Sequence, residues 1–417
     1  MLTLGKYSIG IGDRFGHQGK AQLTALAQAR AAGVDVTPVW NKSFREHSLI
    51  GTSPTDTRQA ADAAVAASNW PAAYFLDADH IGLKNVDGFI TSCDFYTIDV
   101  ADNIGLAPDP AATARFMSAM QQYIGPLDIP GLDGEVMLTA VELQQIGEKY
   151  LNAVSEAGNI YRHIAEKKGA ENFVTEVSFD EANLPQSPVE LFGILAALAL
   201  EGVPAQTIAP KFTGRFNKGV DYVGNIAQFT REFTADLAVI QFAIKEFALP
   251  TSLKLSVHSG SDKFSIYRPI HQALVKFDAG LHLKTAGTSW LEEVIGLALA
   301  GGEGLAIVKD IYRQSLERYD ELAKPYAPVI DIDKSQLPSL AKVEAWDGDT
   351  FAAALRHDLS NANYNLHFRQ LLHVSFRIAA EMGPRYLSAL EANEEIIARQ
   401  VADNLYLRHI CPVFLGK

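Results

Sequence analysis

The chain has 417 residues, of which 48% are hydrophobic and 20% charged, and its mean hydropathy is close to zero. This composition excludes disordered, collagen-like and coiled-coil chains and is typical of a globular protein. The formal charge of −13 argues against nucleic acid or an anionic membrane as the main partner, although a locally basic pocket for an anionic small molecule remains compatible with it.

Cysteine content and apolar runs narrow the class further. Cys93 and Cys411 are too few for a disulfide framework or a thiolate zinc site. The first residues lack the basic and apolar regions of a signal peptide, and the longest apolar run, 191–200, is too short to span a bilayer. We therefore expect a cytoplasmic protein with no nucleic-acid or membrane partner; its oligomeric state, a homo-oligomer included, stays open.

Short runs rich in β-branched and aromatic residues predict eight strands, at 7–11, 34–40, 73–76, 95–100, 173–179, 207–212, 253–258 and 281–285. Helical patterns lie between most of them, among others at 18–32, 55–68, 188–201 and 221–247. This alternation of strand and helix predicts an α/β fold of the (β/α)8 TIM-barrel type. A doubly wound sheet is the alternative, because alternation alone does not show closure.

Two segments depart from an ideal barrel. An insertion at about 103–172 follows the fourth strand, with helical patterns at 110–123 and 135–168 around a turn-rich stretch at 126–134. A barrel would place its start on the carboxyl-terminal face, where it could roof an active site; whether it closes over a substrate stays open. We predict a catalytic barrel domain at 1–303 and a C-terminal helical extension at 304–417 packed on it, with long helices at 347–378 and 384–407.

Several predicted strands carry ionisable residues where a packed core would not place them. In the third strand Asp77 and Asp79 share one face and His80 follows directly. In the fifth, seventh and eighth strands, period-two alternation directs a polar set into the barrel: Glu176, Ser178, Asp180, Lys254, Ser256, His258, His282 and Lys284. Burying such groups without partners is costly, so strands that retain them usually serve a site.

Three imidazoles at strand ends, those of His80, His258 and His282, predict a site for one divalent metal ion such as Zn, Mn, Ni or Co. Asp77 is a fourth candidate ligand, or a residue that orients an imidazole. The alternative is that each histidine is a hydrogen-bonded core or loop residue.

Asp79 and Glu176 are the candidates for acid and base work, because proton transfer on two sides of a substrate needs two carboxyl groups. The alternative is that they form ion pairs with Lys254 or Lys284 inside the barrel. Basic residues at or just after the strand ends, together with Asp77, are candidates for substrate binding: Arg14, Lys42, Lys211, Lys254 and Lys284.

Three strings of the sequence, IGDRFGHQG at 11–19, FLDADHI at 75–81 and KLSVHSGSDKF at 254–264, resemble the tagaturonate/fructuronate epimerase family. The resemblance runs across most of the chain. It implies a metal-dependent enzyme of hexuronate catabolism with a barrel-like fold. By the same resemblance Asp79 is the proton acceptor and Glu176 the proton donor, and the metal ligands are His80, His258 and His282.

The implied substrates are two ketouronates that differ at a carbinol carbon β to the ketone, where the carbonyl does not acidify the hydrogen. Simple enolisation therefore cannot invert that carbon, whereas a retro-aldol and aldol sequence can, with a metal as Lewis acid. Rival functions are a metal-dependent aldolase or ketose isomerase, a Schiff-base aldolase that uses Lys254 or Lys284, and a non-catalytic sugar-acid sensor.

Overall fold

A closed parallel barrel forms the centre of the computed structural model, which describes residues 2–132, 136–285 and 287–417. Its strands confirm the predicted (β/α)8 class, and they close in the order β1-β10-β9-β8-β7-β4-β3-β2. The remaining two strands, β5 and β6, form an antiparallel hairpin. In chain order the strands are β1 Tyr7–Ile11, β2 Val36–Ser43, β3 Phe75–Ile81, β4 Phe95–Asp99, β5 Gly125–Leu127, β6 Val136–Leu138, β7 Val174–Ser178, β8 Thr207–Ala209, β9 Lys254–Val257 and β10 Leu281–Lys284.

Helices surround the barrel and begin where the sequence supplies capping residues. The side chains of Ser53, Thr139 and Ser187 each accept a hydrogen bond from the backbone N–H three residues later. The carboxylate at that position accepts a hydrogen bond from the backbone N–H of the capping residue. The helices that precede the extension are α1 Gly19–Ala31, α2 Phe44–Ile50, α3 Pro54–Ala67, α4 Pro110–Met120, α5 Ala140–Lys168, α6 Pro188–Leu200, α7 Ile226–Glu246, α8 Phe264–Phe277 and α9 Thr288–Ala300.

Apolar side chains close the amino-terminal end of the barrel interior. A separate cluster of five buried residues fills it: Leu4, Val39, Phe75, Phe95 and Val174. Because these side chains close this end, the polar interior is open only toward the carboxyl-terminal ends of the strands, where barrel active sites lie.

The insertion starts at the mouth and then packs along the outside of the barrel, where Lys149 and Tyr150 donate to Glu190 in the first turn of α6. Its start follows β4 at the mouth, but Tyr123 donates to Glu246 at the end of α7 (3.1 Å) and packs against Phe247. Farther on, Lys276 near the end of α8 donates to the Gly131 carbonyl. Barrel helices run antiparallel to the strands, so these helix ends lie beside the closed end. The predicted helix start at 135 lies outside the described residues.

The extension is helical, as predicted, but its helices are short. They are α10 Gly302–Glu317, α11 Tyr319–Ala323, α12 Leu340–Glu344, α13 Gly348–Leu355, α14 Leu366–His373, α15 Phe376–Met382, α16 Pro384–Ala392 and α17 Glu394–Asp403, followed by a π-helical segment, Asn404–Leu415. The prediction of two long helices at 347–378 and 384–407 is therefore wrong. Side chains of Asp358, Asn361 and Asn365 accept from nearby backbone N–H groups and interrupt the first one.

The extension covers loops at the mouth. It shares an apolar core with α9, and the Val329 carbonyl accepts from the backbone of Lys218, which lies after β8. The Phe376 ring lies 4.1 Å from the guanidinium of Arg14, which follows β1. Within the described residues, no helix is both long and apolar enough to cross a membrane.

Candidate active site

Strand β3 brings three ionisable side chains to the mouth because its regular alternation breaks. The pairing of β3 with β4 shifts register between Ala78 and Ile81, and His80 adopts a left-handed φ of 52°. Such an irregularity re-aims a side chain that alternation would turn outward. Asp79 and His80 are therefore both available to one site, with His80 Nε2 3.9 Å from Asp79 Oδ1.

Lys284 joins the candidate acids inside the barrel. Its ammonium lies 2.7 Å from Asp77, 2.7 Å from Asp79 and 3.0 Å from Glu176. Thr97 donates to both Asp77 and Glu176 at about the same depth. One cation thus holds three carboxylates together, which is the ion pairing that the sequence left open as the alternative for Asp79 and Glu176.

Glu176 also holds His258. Its carboxylate lies 2.8 Å from His258 Nε2 and accepts from Thr207 as well, and no part of its side chain is exposed. The other ring nitrogen, His258 Nδ1, lies 3.1 Å from Asp180 Oδ2. That nitrogen has no aligned hydrogen-bond partner within the described residues, so a buried donor atom faces Asp180.

His80 is arranged in the same way. Its Nδ1 lies 2.8 Å from Asp99, and its ring centroid lies 5.1 Å from that of His258. His80, Asp180 and His258 each offer a ligand atom, and these atoms lie within 4.8 Å of one another. His80, Asp99 and Glu181 form a second such group around the same imidazole.

The donor set of His80, Asp180 and His258 fits a divalent ion of the predicted kind. Two ligands of a tetrahedral ion with bonds near 2.0 Å lie roughly 3.3 Å apart, close to the spacing between His258 Nδ1 and Asp180. Each imidazole has its remaining nitrogen on a carboxylate, Asp99 for His80 and Glu176 for His258, which is the usual support of a metal-bound histidine.

His282, the third predicted ligand, lies deeper in the barrel. It faces inward as predicted, but its Nδ1 bonds the Ser8 hydroxyl (2.9 Å) and its ring packs on Phe95, at the closed end. Burial lowers the pKa of His282 to about 3, so the ring is neutral. Its Nε2 has no hydrogen-bond partner in the described parts of the chain. The structure does not bring it into the group formed by His80, Asp180 and His258.

The carboxylates differ in their protonation. Burial raises the pKa of Asp77 to about 7, against the influence of Lys284. Burial acts on Asp79 in the same direction, but Lys284 and His80 outweigh it and hold the pKa of Asp79 below its usual range. Lys284 and His258 do the same to Glu176. Asp79 and Glu176 are therefore ionised at neutral pH, while Asp77 titrates near it.

The other predicted substrate-binding residues are dispersed. Arg14 is buried at the mouth, where its guanidinium bonds Glu46, and the Lys42 ammonium donates to the Arg14 carbonyl. Lys211 follows β8 and is half-buried. Lys254 lies at the closed end, where it donates to the carbonyls of Leu4 and Gly5. The structure therefore does not bring Lys254 to the acids and imidazoles.

Two residues of the site, Asp99 and Lys218, were not singled out by the sequence, and Asp180 was predicted to face inward but was given no role. Asp99 is an acid at the end of β4, so the rule that found Asp79 could have found it. Lys218 lies in the long loop after β8, and its ammonium donates to the Ser259 hydroxyl next to His258. No sequence pattern marks a loop lysine of this kind.

Comparisons with known proteins agree with the strings at 11–19, 75–81 and 254–264. A family model described as "UxaE: tagaturonate epimerase" matches residues 1–382. A tagaturonate/fructuronate epimerase of Thermotoga maritima is 28% identical over 97% of this chain and 80% of its own length. Two crystal structures of fructuronate-tagaturonate epimerase UxaE from Cohnella laeviribosi, each with glycerol, have the same fold. Their TM-scores are 0.82 and 0.81 at 22% and 24% identity, over 99% of this chain and 82% and 83% of theirs.

Proposed function

The chain belongs to the tagaturonate epimerase family, and on that premise we propose that it interconverts D-tagaturonate and D-fructuronate. The observation that carries the proposal is the match of the family model over 1–382, which includes every residue of the acid and imidazole cluster at the barrel mouth. An isomerase activity on a small sugar acid also agrees with a site whose ionisable groups are buried and fixed by named partners.

The chemistry that fits the substrates is a retro-aldol and aldol sequence. A base takes the proton of the hydroxyl on the carbon β to the ketone. The bond between that carbon and the α carbon then breaks, which gives an aldehyde on one fragment and an enolate on the other. The aldehyde fragment rotates, the bond forms again on the other face, and a proton returns to the new hydroxyl. The residues must therefore take and return one proton and hold both fragments in place.

Asp79 is the proposed proton acceptor. It is ionised, it lies at the mouth side of the three carboxylates on Lys284, and it retains a small exposed fraction of 9%, whereas Glu176 has none. A carboxylate must be ionised and within reach of the hydroxyl to act as a base, and these observations support both conditions.

Glu176 is the proposed proton donor, and Lys284 connects it to Asp79. Because Glu176 is ionised and covered, it must first receive a proton. The Lys284 ammonium contacts both acids, so it can give a proton to Glu176 and take one from Asp79, with no net change in its own charge. This transfer carries the proton across the site without passing through bulk water.

His80, His258 and Asp180 are the residues that would hold a divalent metal ion, with Asp99 and Glu176 orienting the two imidazoles. When bound, such an ion supplies Lewis-acid polarisation of the carbonyl and stabilises negative charge on oxygen. His282 remains the alternative third ligand from the family resemblance. Asp180→Ala and His282→Ala separate the two assignments, because only substitution of the true ligand should lower the affinity for Zn or Mn measured by equilibrium dialysis.

The test of the function is direct. Purified protein is incubated with D-fructuronate, and D-tagaturonate is followed by NMR before chelation, after chelation and after addition of Zn, Mn, Ni or Co. We expect the epimer to form, with the rate lost on chelation and restored by metal. Asp79→Asn and Glu176→Gln should each lower kcat by roughly 10²- to 10⁴-fold, as expected for acid and base groups.

Other outcomes would identify a different activity. Three-carbon fragments without epimer would indicate an aldolase. Unchanged D-fructuronate in the presence of bound metal would indicate that the substrate is a different ketose. Trapping with borohydride would indicate a Schiff base. The structure favours no lysine for that role, because Lys284 is ion-paired with three carboxylates and Lys254 lies at the closed end.

A further inference from the structure

Lys218 is a cation at the barrel mouth that forms no ion pair with a carboxylate in the part of the chain that the structure describes. Its ammonium is half-buried and donates to the Ser259 hydroxyl at 2.8 Å. Ser259 follows His258 directly and holds a left-handed φ of 49°. No ion pair of Lys218 occurs in the described ranges of the chain. An ammonium has three donors, and this one has a single neutral acceptor beside the proposed reaction centre.

Lys42, a buried cation near the mouth, also donates to one neutral acceptor, the Arg14 carbonyl. Burial lowers the pKa of Lys42, and the acids that oppose this effect, Glu46, Asp13 and Asp56, are not those of the proposed reaction centre. Other buried cations have charged partners or several carbonyls. Lys284 contacts three carboxylates, and Arg14 pairs with Glu46. Lys263 donates to three backbone carbonyls. Arg369 pairs with Asp262, and neither has any exposed surface. Lys218 therefore differs from the ion-paired cations in having no carboxylate partner among the described residues, and from Lys42 in its hydrogen bond to Ser259, next to His258.

The backbone around Lys218 is fixed from two sides. Lys263 donates to the carbonyls of Asn217 (2.8 Å) and Val220 (2.7 Å). The Lys218 N–H donates to the Val329 carbonyl of the extension at 2.8 Å. A flexible surface lysine has no such support, whereas a binding residue gains affinity when its position is fixed before the ligand arrives.

The electrostatic surroundings place the ammonium beside the centre. Burial lowers the pKa of Lys218, while Asp180, Glu46 and Asp79 act in the opposite direction and Arg45 adds to the lowering. Two of these acids, Asp180 and Asp79, belong to the proposed metal and proton-transfer groups. Together with the hydrogen bond to Ser259, which follows His258, these acids show that the ammonium lies near the proposed reaction centre.

We propose that Lys218 binds the carboxylate of the sugar acid and so makes the site selective for ketouronates over neutral ketoses. This inference rests on the proposed function and deepens it. A ketouronate carries its carboxylate at the end of a short chain, so the carbonyl end can lie at His80 and His258 while the acid end reaches Lys218. The ion pair replaces the missing anionic partner and desolvates one charged end of the substrate.

The test uses the full-length protein and three variants, Lys218→Met, Lys218→Arg and Lys245→Met. Lys245 is an exposed lysine near the end of α7 and serves as the matched control. Binding of D-galactonate and of its neutral counterpart galactitol is measured by calorimetry, and KM and kcat for D-fructuronate are measured in parallel. These binding probes need no turnover, so failure of the epimerase assay and failure of the Lys218 inference are distinguishable.

We expect Lys218→Met to weaken D-galactonate binding and to raise KM for D-fructuronate by roughly 10- to 100-fold, the worth of one charge-assisted hydrogen bond. Binding of galactitol to Lys218→Met should stay within about twofold of the wild-type value. Lys218→Arg should keep part of the preference for the acid, and Lys245→Met should match the wild type. Equal losses for galactonate and galactitol would indicate a structural role and overturn the inference. So would unchanged galactonate binding in Lys218→Met, or a wild-type protein that does not prefer galactonate.

Discussion

The two ends of the barrel interior use buried lysine in opposite ways. Near the mouth Lys284 contacts three carboxylates, which raise its pKa above the usual range although burial opposes them. At the closed end the partners of Lys254 among the described residues are the carbonyls of Leu4 and Gly5, and burial lowers its pKa to about 7. The same residue type, on neighbouring strands, is thus a permanent charge at one end and a titrating group at the other.

The additions to the barrel follow the same division. The insertion packs near the closed end through Tyr123 and the turn around Gly131. The extension reaches the mouth through Val329, Arg369 and Phe376, each of which contacts a loop that follows a strand. We infer that changes at the mouth affect both activity and stability, whereas changes at the closed end affect stability alone.

The largest expected effect is that of Lys284→Met. The substitution leaves Asp77, Asp79 and Glu176 buried together without their cation, and breaking a buried pair of this kind typically costs about 3–5 kcal/mol. Turnover should fall at least roughly 100-fold, since the two proposed proton-transfer groups lose their connection. Urea unfolding and the NMR epimerisation assay measure the two effects. A variant with normal turnover would contradict the assigned role of Lys284.

Arg369→Met should have the second largest effect, about 3 kcal/mol. Arg369 and Asp262 form a fully buried ion pair between α14 and the loop after β9, which also carries His258. Asp262 holds a left-handed φ of 61°, which its neighbours must maintain. The double variant with Asp262→Asn should lose less than the sum of the single changes in urea unfolding. Strict additivity would mean that the pair does not couple the extension to the mouth.

How far the sequence predicts this contrast depends on local and long-range effects. Alternation on β9 and β10 correctly turned Lys254, His282 and Lys284 inward, because period two is a local property of a strand. It did not give their depth along the barrel axis, which depends on strand register and stagger. For that reason the sequence grouped His282 and Lys254 with residues that the structure places nearer the mouth.

Two further features had no local signal. Alternation predicts that His80 turns away from Asp79, and only the register shift in β3 brings it back. The positions of the insertion and of Lys218 depend on packing between segments distant in sequence, as in the hydrogen bond from Lys218 to Val329. The family resemblance supplied the function and is confirmed by the family model, but it did not supply these contacts.

Lys254→Met tests the contrast between the two buried lysines through the pH dependence of the free energy of unfolding. The folded-state pKa of Lys254, about 7, lies below its ordinary value of 10.5, so the unfolded chain binds more protons between these pH values. The stability of the wild type therefore rises with pH from about 7 to 10.5, and is lowest, as far as this group is concerned, below pH 7. The variant lacks this dependence and should be more stable than the wild type by about 1–2 kcal/mol at pH 6, with the difference shrinking toward pH 10.

Urea unfolding of both proteins at pH 6, 8 and 10 measures that difference, and the epimerisation rate at pH 8 should be unchanged. Lys245→Met, at an exposed lysine, controls for loss of a positive charge. A difference that is independent of pH would mean that Lys254 is not a titrating group of the folded state. A large loss of turnover would instead favour the role in substrate binding that the sequence predicted for it.

The smallest expected effect tests the insertion. Tyr123→Phe removes one hydroxyl that donates to Glu246 at 3.1 Å, at a half-buried position beside the closed end, and leaves the ring packed on Phe192 and Phe247. Surface changes of this kind stay within about 0.5 kcal/mol. Because this contact lies on the outside of the barrel and includes none of the residues of the candidate site, KM and kcat for D-fructuronate should equal those of the wild type. A changed KM would mean that the Tyr123 contact influences substrate binding at the mouth. That result would contradict the inference that changes at the closed end affect stability alone.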